Sequence, residues 1–165
     1  MAEFIMKDLV DKNGVADKFY IASAATSREE IGNPVYPPAR RVLEKRGITC
    51  KGKTAVQVTP DDYKKYDYIV CMDRNNLRNI KYIIPSDPQN KISLLMDFTG
   101  NPTDVADPWY TGDFAATERD VDKGWKALFE AISKWLRSAA FATLLNFNYH
   151  IILLSFSPTT FSTKS

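Results

Sequence analysis

Ala2, Ile5, Met6, Leu9 and Val10 recur at helical spacing and predict an opening helix that stops at Asn13-Gly14. No Ser, Thr, Asp or Asn precedes it as a cap. In a parallel α/β fold a strand normally comes before the first helix, so the pattern predicts that an upstream strand is missing. Phe19 to Ser23 reads as a strand, followed by a loop through Gly32-Asn33-Pro34 and a helix from about Pro38 to Gly47. Thr59-Pro60 caps a helical turn over Asp61 to Tyr66. The run Tyr68-Ile69-Val70-Cys71 reads as a buried strand, with Asp73 placed to cap a helix that carries Leu77, Ile80 and Ile84. Ile92 to Met96 predicts a third strand. Phe114, Val121, Trp125, Leu128, Ile132 and Trp135 predict a long amphipathic helix after a loop rich in Gly, Pro and Asp.

Short apolar runs that alternate with longer periodic segments imply βα units, and so an α/β fold with helices on both faces of a small parallel sheet. The charge pattern changes near Arg137, since from Ser138 to Ser165 only Lys164 is charged. The chain therefore divides into a body, 1–137, and an apolar tail, 138–165. Within the tail, Tyr149 to Phe156 has the continuous apolar character of a strand buried on both faces. The run from Leu144 to Phe156 is too short and too polar, with Asn146, Asn148 and His150, for a membrane span. The tail is left with two readings, a surrogate strand or read-through sequence rich in Asn, Phe, Ser and Thr.

Composition narrows the class further. A chain of 165 residues, 44% hydrophobic and 25% charged, suits one globular domain, and a net charge of +2 without a run of one sign leaves no footprint for nucleic acid. Cys50 and Cys71 have neither disulfide-framework nor zinc spacing, which fits a reducing cytoplasm, and the amino terminus is no signal peptide. No metal or cofactor is implied. His150, the single histidine, lies in the apolar tail and receives no role.

In open α/β sheets the sites form on loops leaving the carboxyl ends of the strands, here after Ser23, Cys71 and Met96. The third loop holds Asp107-Pro108-Trp109-Tyr110, a carboxylate with a fixed backbone beside two aromatics that would wall a flat pocket. Before it, in order, come Ser23-Ala24-Ala25-Thr26-Ser27, Glu30-Ile31-Gly32-Asn33-Pro34 and Tyr66-Asp67-Tyr68-Ile69-Val70-Cys71-Met72-Asp73. From Met1 to about Leu136 this succession resembles the low-molecular-weight protein tyrosine phosphatases.

The resemblance implies a three-layer α-β-α fold of phosphatase I type and the hydrolysis of phosphotyrosine proteins or small aryl phosphates through a phosphocysteine. Asp107 would be the general acid that protonates the leaving tyrosinate and then activates water. Trp109 and Tyr110 would wall the substrate pocket, and Ser23 would support the nucleophile loop from behind. In the family that loop reads C-x5-R-S and joins a first strand to the first helix, its backbone N–H groups and arginine holding the phosphate. No such loop occurs in this chain. Cys71 has six residues between it and Arg78, with Asp73 inside the would-be cradle, and Cys50 has neither the preceding strand nor an arginine at the right spacing. Glu29 stands where the family often has an aromatic, and Lys53 where it often has histidine.

The first expectation is therefore a phosphatase family member, a phosphoric monoester hydrolase by kinship, inactive as written because its sequence lacks its start. The alternative is a non-catalytic, phosphatase-derived binding module. Arsenate reductases of the same fold would need more redox cysteines than two. By resemblance the missing strand is interior in a sheet of order 2-1-3-4, and an empty slot there would leave ladder groups unpaired, which predicts that something fills it. If Ile151 to Leu154 did so, parallel to its neighbours, Ser155 would stand near the nucleophile's position.

Overall fold

The computed structural model describes residues 1–138 and 148–155, without the side chains of Trp109, Tyr110, residues 135–138 and Ser155. Helix α1, Ala2–Lys12, leads through a 3-10 turn, Ala16–Lys18, to strand β1, Phe19–Ala25. Then come α2, Pro37–Lys45, and α3, Asp62–Lys65. Strand β2, Tyr68–Cys71, is followed by α4, Arg74–Ile83, then β3, Ile92–Leu94, α5, Pro108–Thr111, α6, Phe114–Ser138, and β4, Tyr149–Ser155. The local signals act as the sequence suggests. Asp73 caps α4 by accepting the Asn76 N–H at 2.6 Å, and Gly47 takes φ +73° just past α2.

The sheet has four strands in the order β1-β4-β2-β3, all parallel. The tail strand occupies an interior place, as the surrogate-strand reading expects. β4 pairs with β1 from Phe19↔Tyr149 to Ala25↔Ser155 and with β2 from Tyr68↔Ile151 to Cys71↔Leu154. Its alternation explains the unbroken apolar run. Ile151 and Leu153 join the core formed with Ile5, Met6, Leu43, Val121, Trp125 and Leu128 of α1, α2 and α6. Ile152 and Leu154 join the opposite core, with Ile69, Ile80 and Ile84. A strand that faces helices on both sides has no polar face to show in its sequence.

The start of β4 is held by Asp67. Its backbone N–H donates to the His150 carbonyl at 2.8 Å, and its Oδ2 accepts the His150 N–H at 2.8 Å. His150 Nδ1 lies 2.9 Å from the Lys65 carbonyl, an arrangement that needs the proton on Nδ1. The histidine thus helps to seat a strand.

One element is shorter than expected. β3 ends at Leu94 rather than Met96, because Asp97 Oδ2 accepts the Leu94 N–H at 3.0 Å and starts a 3-10 turn over Leu95–Thr99. Leu95 and Met96 leave the ladder for the core against α6. The approach of Leu95 depends on Gly124, where an added Cβ would clash with Leu95 Cγ. Helix propensity alone favours Gly124→Ala by about 1 kcal/mol. Overpacking outweighs it, so the variant is expected to be less stable by about 1–2 kcal/mol, read as a lower urea midpoint. An unchanged or higher midpoint would show that this contact yields freely.

Candidate functional site

A cavity of about 410 Å3 opens at the carboxyl end of the sheet. Ser23, Ala24 and Ala25 of β1 and Met72 after β2 form its floor. Phe4 of α1, Tyr36 and Ala39 around α2, Phe114 and Val121 of α6, and Ser27, Thr54 and Val56 also line it. Pro108, which follows Asp107 in the third loop, belongs to the lining as well.

Ser23 stands in this floor and belongs to a buried polar cluster. Its Oγ donates to Glu3 Oε2 at 2.6 Å, and its carbonyl accepts from Lys53 Nζ at 3.1 Å. Glu3, only 4% exposed, also pairs with Lys53 Nζ at 2.7 Å and Lys7 Nζ at 2.6 Å. Burial opposes the charge on Glu3, but the hydrogen bonds from Lys53, Lys7 and Ser23 prevail and hold its carboxyl below the usual range. Sequence reasoning passed over Glu3, which sits within the apolar face of α1. The available signal was Lys7 one turn later, an i,i+4 partner.

Asp107 lies half-buried directly before Pro108, on a loop tied down at several points. The Val105 N–H donates to the Met72 carbonyl at 2.9 Å, which joins the loop to the end of β2. The Ala106 N–H donates to Asp120 Oδ2 at 3.1 Å, and the Ala106 carbonyl accepts from Thr117 Oγ1 at 2.6 Å. Asp107 and the cavity wall at Pro108 thus share a loop anchored to β2 and α6. Trp109 and Tyr110 lie in α5 by their backbone, and their pocket-wall roles fall outside the described side chains.

Neither cysteine meets the cavity as a nucleophile. Cys71 is completely buried in β2, and burial, with Asp73 and Asp97 nearby, pushes its thiol up to about 12. Cys50 is buried as well and does not line the cavity. Among the described residues Lys53 is the only Lys or Arg in the lining, and it is paired with Glu3. The other charged side chain there is Glu30, which accepts from Asn33 Nδ2 at 2.7 Å. No group of three His, Cys, Asp or Glu that could hold a metal ion occurs among the described residues, and no described helix is long and apolar enough to cross a membrane.

A small parallel sheet between two helical layers, with its cavity at the carboxyl ends and an Asp-Pro loop beside it, is an open α/β fold with a cavity where such folds place their ligand sites. The comparisons with known proteins agree. The model of the low molecular weight phosphotyrosine protein phosphatase family matches residues 1–138, and the chain belongs to that family. The low molecular weight protein-tyrosine-phosphatase YfkJ of Bacillus subtilis is 32% identical over 136 residues, covering 81% of this chain and 87% of the relative. PtpA of Staphylococcus epidermidis is 33% identical over 135 residues, covering 81% and 85%. The crystal structure of YfkJ superposes with a TM-score of 0.77 over 81% of this chain and 86% of that one. The family match ends before β4 begins.

Proposed function

We propose that the 165-residue chain keeps the phosphotyrosine phosphatase scaffold and its acid loop but does not turn over aryl phosphates. The observation that carries this reading is the state of its cysteines. Thiolate attack on phosphorus needs an exposed, ionisable thiol beside donors for the phosphate oxygens. Cys71 is sealed in the sheet with its thiol raised to about 12, and among the described residues the one lysine in the lining is already matched by a carboxylate. In the family's reaction Asp107 would give a proton to the leaving tyrosinate, Trp109 and Tyr110 would flank the ring, and Ser23 would brace the nucleophile loop. Phosphotyrosine proteins and small aryl phosphates are the corresponding substrates, in the cytoplasm.

The purified chain is expected to release phosphate from 4-nitrophenyl phosphate no faster than a protein-free blank. Turnover that disappears in Cys71→Ser would overturn the reading. A version given an upstream strand and a C-x5-R-S loop, with β4 removed, is expected to gain activity that falls about 10²- to 10⁴-fold in Asp107→Asn, the usual range for losing a general acid. Full activity in that variant would dismiss Asp107 as the acid. The second reading, a binding module without catalysis, is favoured by the cavity that persists beside the acid loop.

A further inference from the structure

We infer that the outer face of α4 is a docking surface for an acidic helical segment of a partner protein. The face follows from the helix period. Asn76, Leu77 and Ile80 turn toward β2 and β3, so Arg74, Arg78 and Tyr82 form the crest of the opposite side at i, i+4 and i+8. That crest is about 12 Å long at the helical rise. Lys81 flanks it on one side, Asn75 and Asn79 on the other, and all six side chains belong to exposed residues. Tyr82 is 88% exposed, against 50% for Ile31, the next of the large apolar side chains among the described residues. No residue of α4 is among those that line the cavity, so this surface stands apart from the acid loop and its chemistry.

Charge decides the partner. α4 carries Arg74, Arg78 and Lys81 and no acidic residue. The carboxylates around it are already engaged. Asp104 accepts the Arg74 N–H at 3.2 Å and pairs with its guanidinium at 3.6 Å. Asp73, within electrostatic reach of Arg78, is 8% exposed and caps the helix. Asp87, past the helix end, accepts the N–H groups of Lys91 and Ile92 and the Tyr63 hydroxyl. Arg78 donates to a neutral amide, Asn75 Oδ1, and neither it nor Lys81 is ion-paired among the described residues. Glutamates at i, i+4 and i+7 of a second helix repeat the spacing of Arg74, Arg78 and Lys81. Tyr82 adds an aromatic anchor of the kind that dominates interface energies. Three cations on one short helix make a small phosphate footprint for nucleic acid, and a single tyrosine gives a bilayer almost no apolar face to take up.

The test is an amide chemical-shift titration of the full, isotope-labelled chain with a blocked alanine-based peptide carrying glutamate at i, i+4 and i+7, and with its glutamine counterpart. The glutamate peptide is expected to shift the amides of Arg74 to Ile83 and to bind about tenfold or more tightly than the glutamine one, less so as salt is raised. Arg78→Glu combined with Lys81→Glu is expected to abolish binding, and Tyr82→Ala to weaken it about 5- to 30-fold. All three residues are exposed, so far-UV circular dichroism and the urea midpoint should match those of the parent, and the loss is then a surface effect. Equal binding of the glutamine peptide, an unshifted spectrum, shifts that leave α4 out, or unchanged binding in either variant would overturn the inference. Phosphatidylserine vesicles and a single-stranded oligonucleotide are titrated in parallel. Tighter binding of either one at α4 would overturn it in favour of a membrane or nucleic-acid surface.

Discussion

A chain ended after Ser138 is expected to have no cooperative fold, although those residues span the whole of the family match. Ending it there removes β4, whose Ile151, Ile152, Leu153 and Leu154 are all at most 3% exposed and divide between both cores. Burial of such side chains contributes about 1.5–3 kcal/mol each, so about 6–12 kcal/mol disappears with the four. The facing edges of β1 and β2 also lose their ladder partners. A domain's net stability is about 5–15 kcal/mol, which leaves little or nothing. Far-UV circular dichroism and urea titration of the shortened chain should show a largely unfolded polypeptide without a sigmoidal transition. A cooperative transition with the full chain's m-value would mean that β4 is dispensable. A milder probe, Leu153→Ala, should lower stability by about 2–5 kcal/mol while keeping the fold.

Glu3→Ala is the second large effect, expected at about 3 kcal/mol. The substitution takes the partner from Lys53, whose side chain is 23% exposed, and leaves the Ser23 hydroxyl without its acceptor. Breaking a buried pair from one side is costly because the remaining charge is left uncompensated. The same group predicts a pH dependence. Glu3 has a folded pKa below its ordinary value of 4.5, so its stabilisation is fully present above that value and is lost as pH falls through the folded pKa. Wild-type stability should therefore drop below about pH 4.5, and Glu3→Gln should remove part of that slope while lowering the plateau at neutral pH. If both proteins lose stability in parallel through the acid range, the cluster around Glu3 does not carry the titration.

Local patterns determined much of this protein. Tyr68 to Cys71 has strand composition, Asp73 the short acceptor side chain of a cap, and Phe114 to Ser138 the apolar period of a helix, and each forms what its neighbours in sequence dictate. The family kinship was also legible, because its motifs are short stretches whose order survives without knowledge of contacts. That neither Cys50 nor Cys71 is followed by the x5-R-S spacing is likewise read from the sequence alone.

Tertiary structure decided the rest. β3 stops two residues early because Leu95 and Met96 gain more from α6 than from the end of a ladder. Glu3, to which the local pattern assigns nothing, is buried because Lys53 and Ser23, distant in the chain, converge on it. The position of the tail was the largest such decision. An apolar run with hardly a charge is compatible with a core strand or with sequence of no structural use, and nothing local separates the two. Only the pairing with both β1 and β2, the two cores above and below the sheet, and the grip of Asp67 on His150 select the strand, and those contacts join residues far apart in the chain.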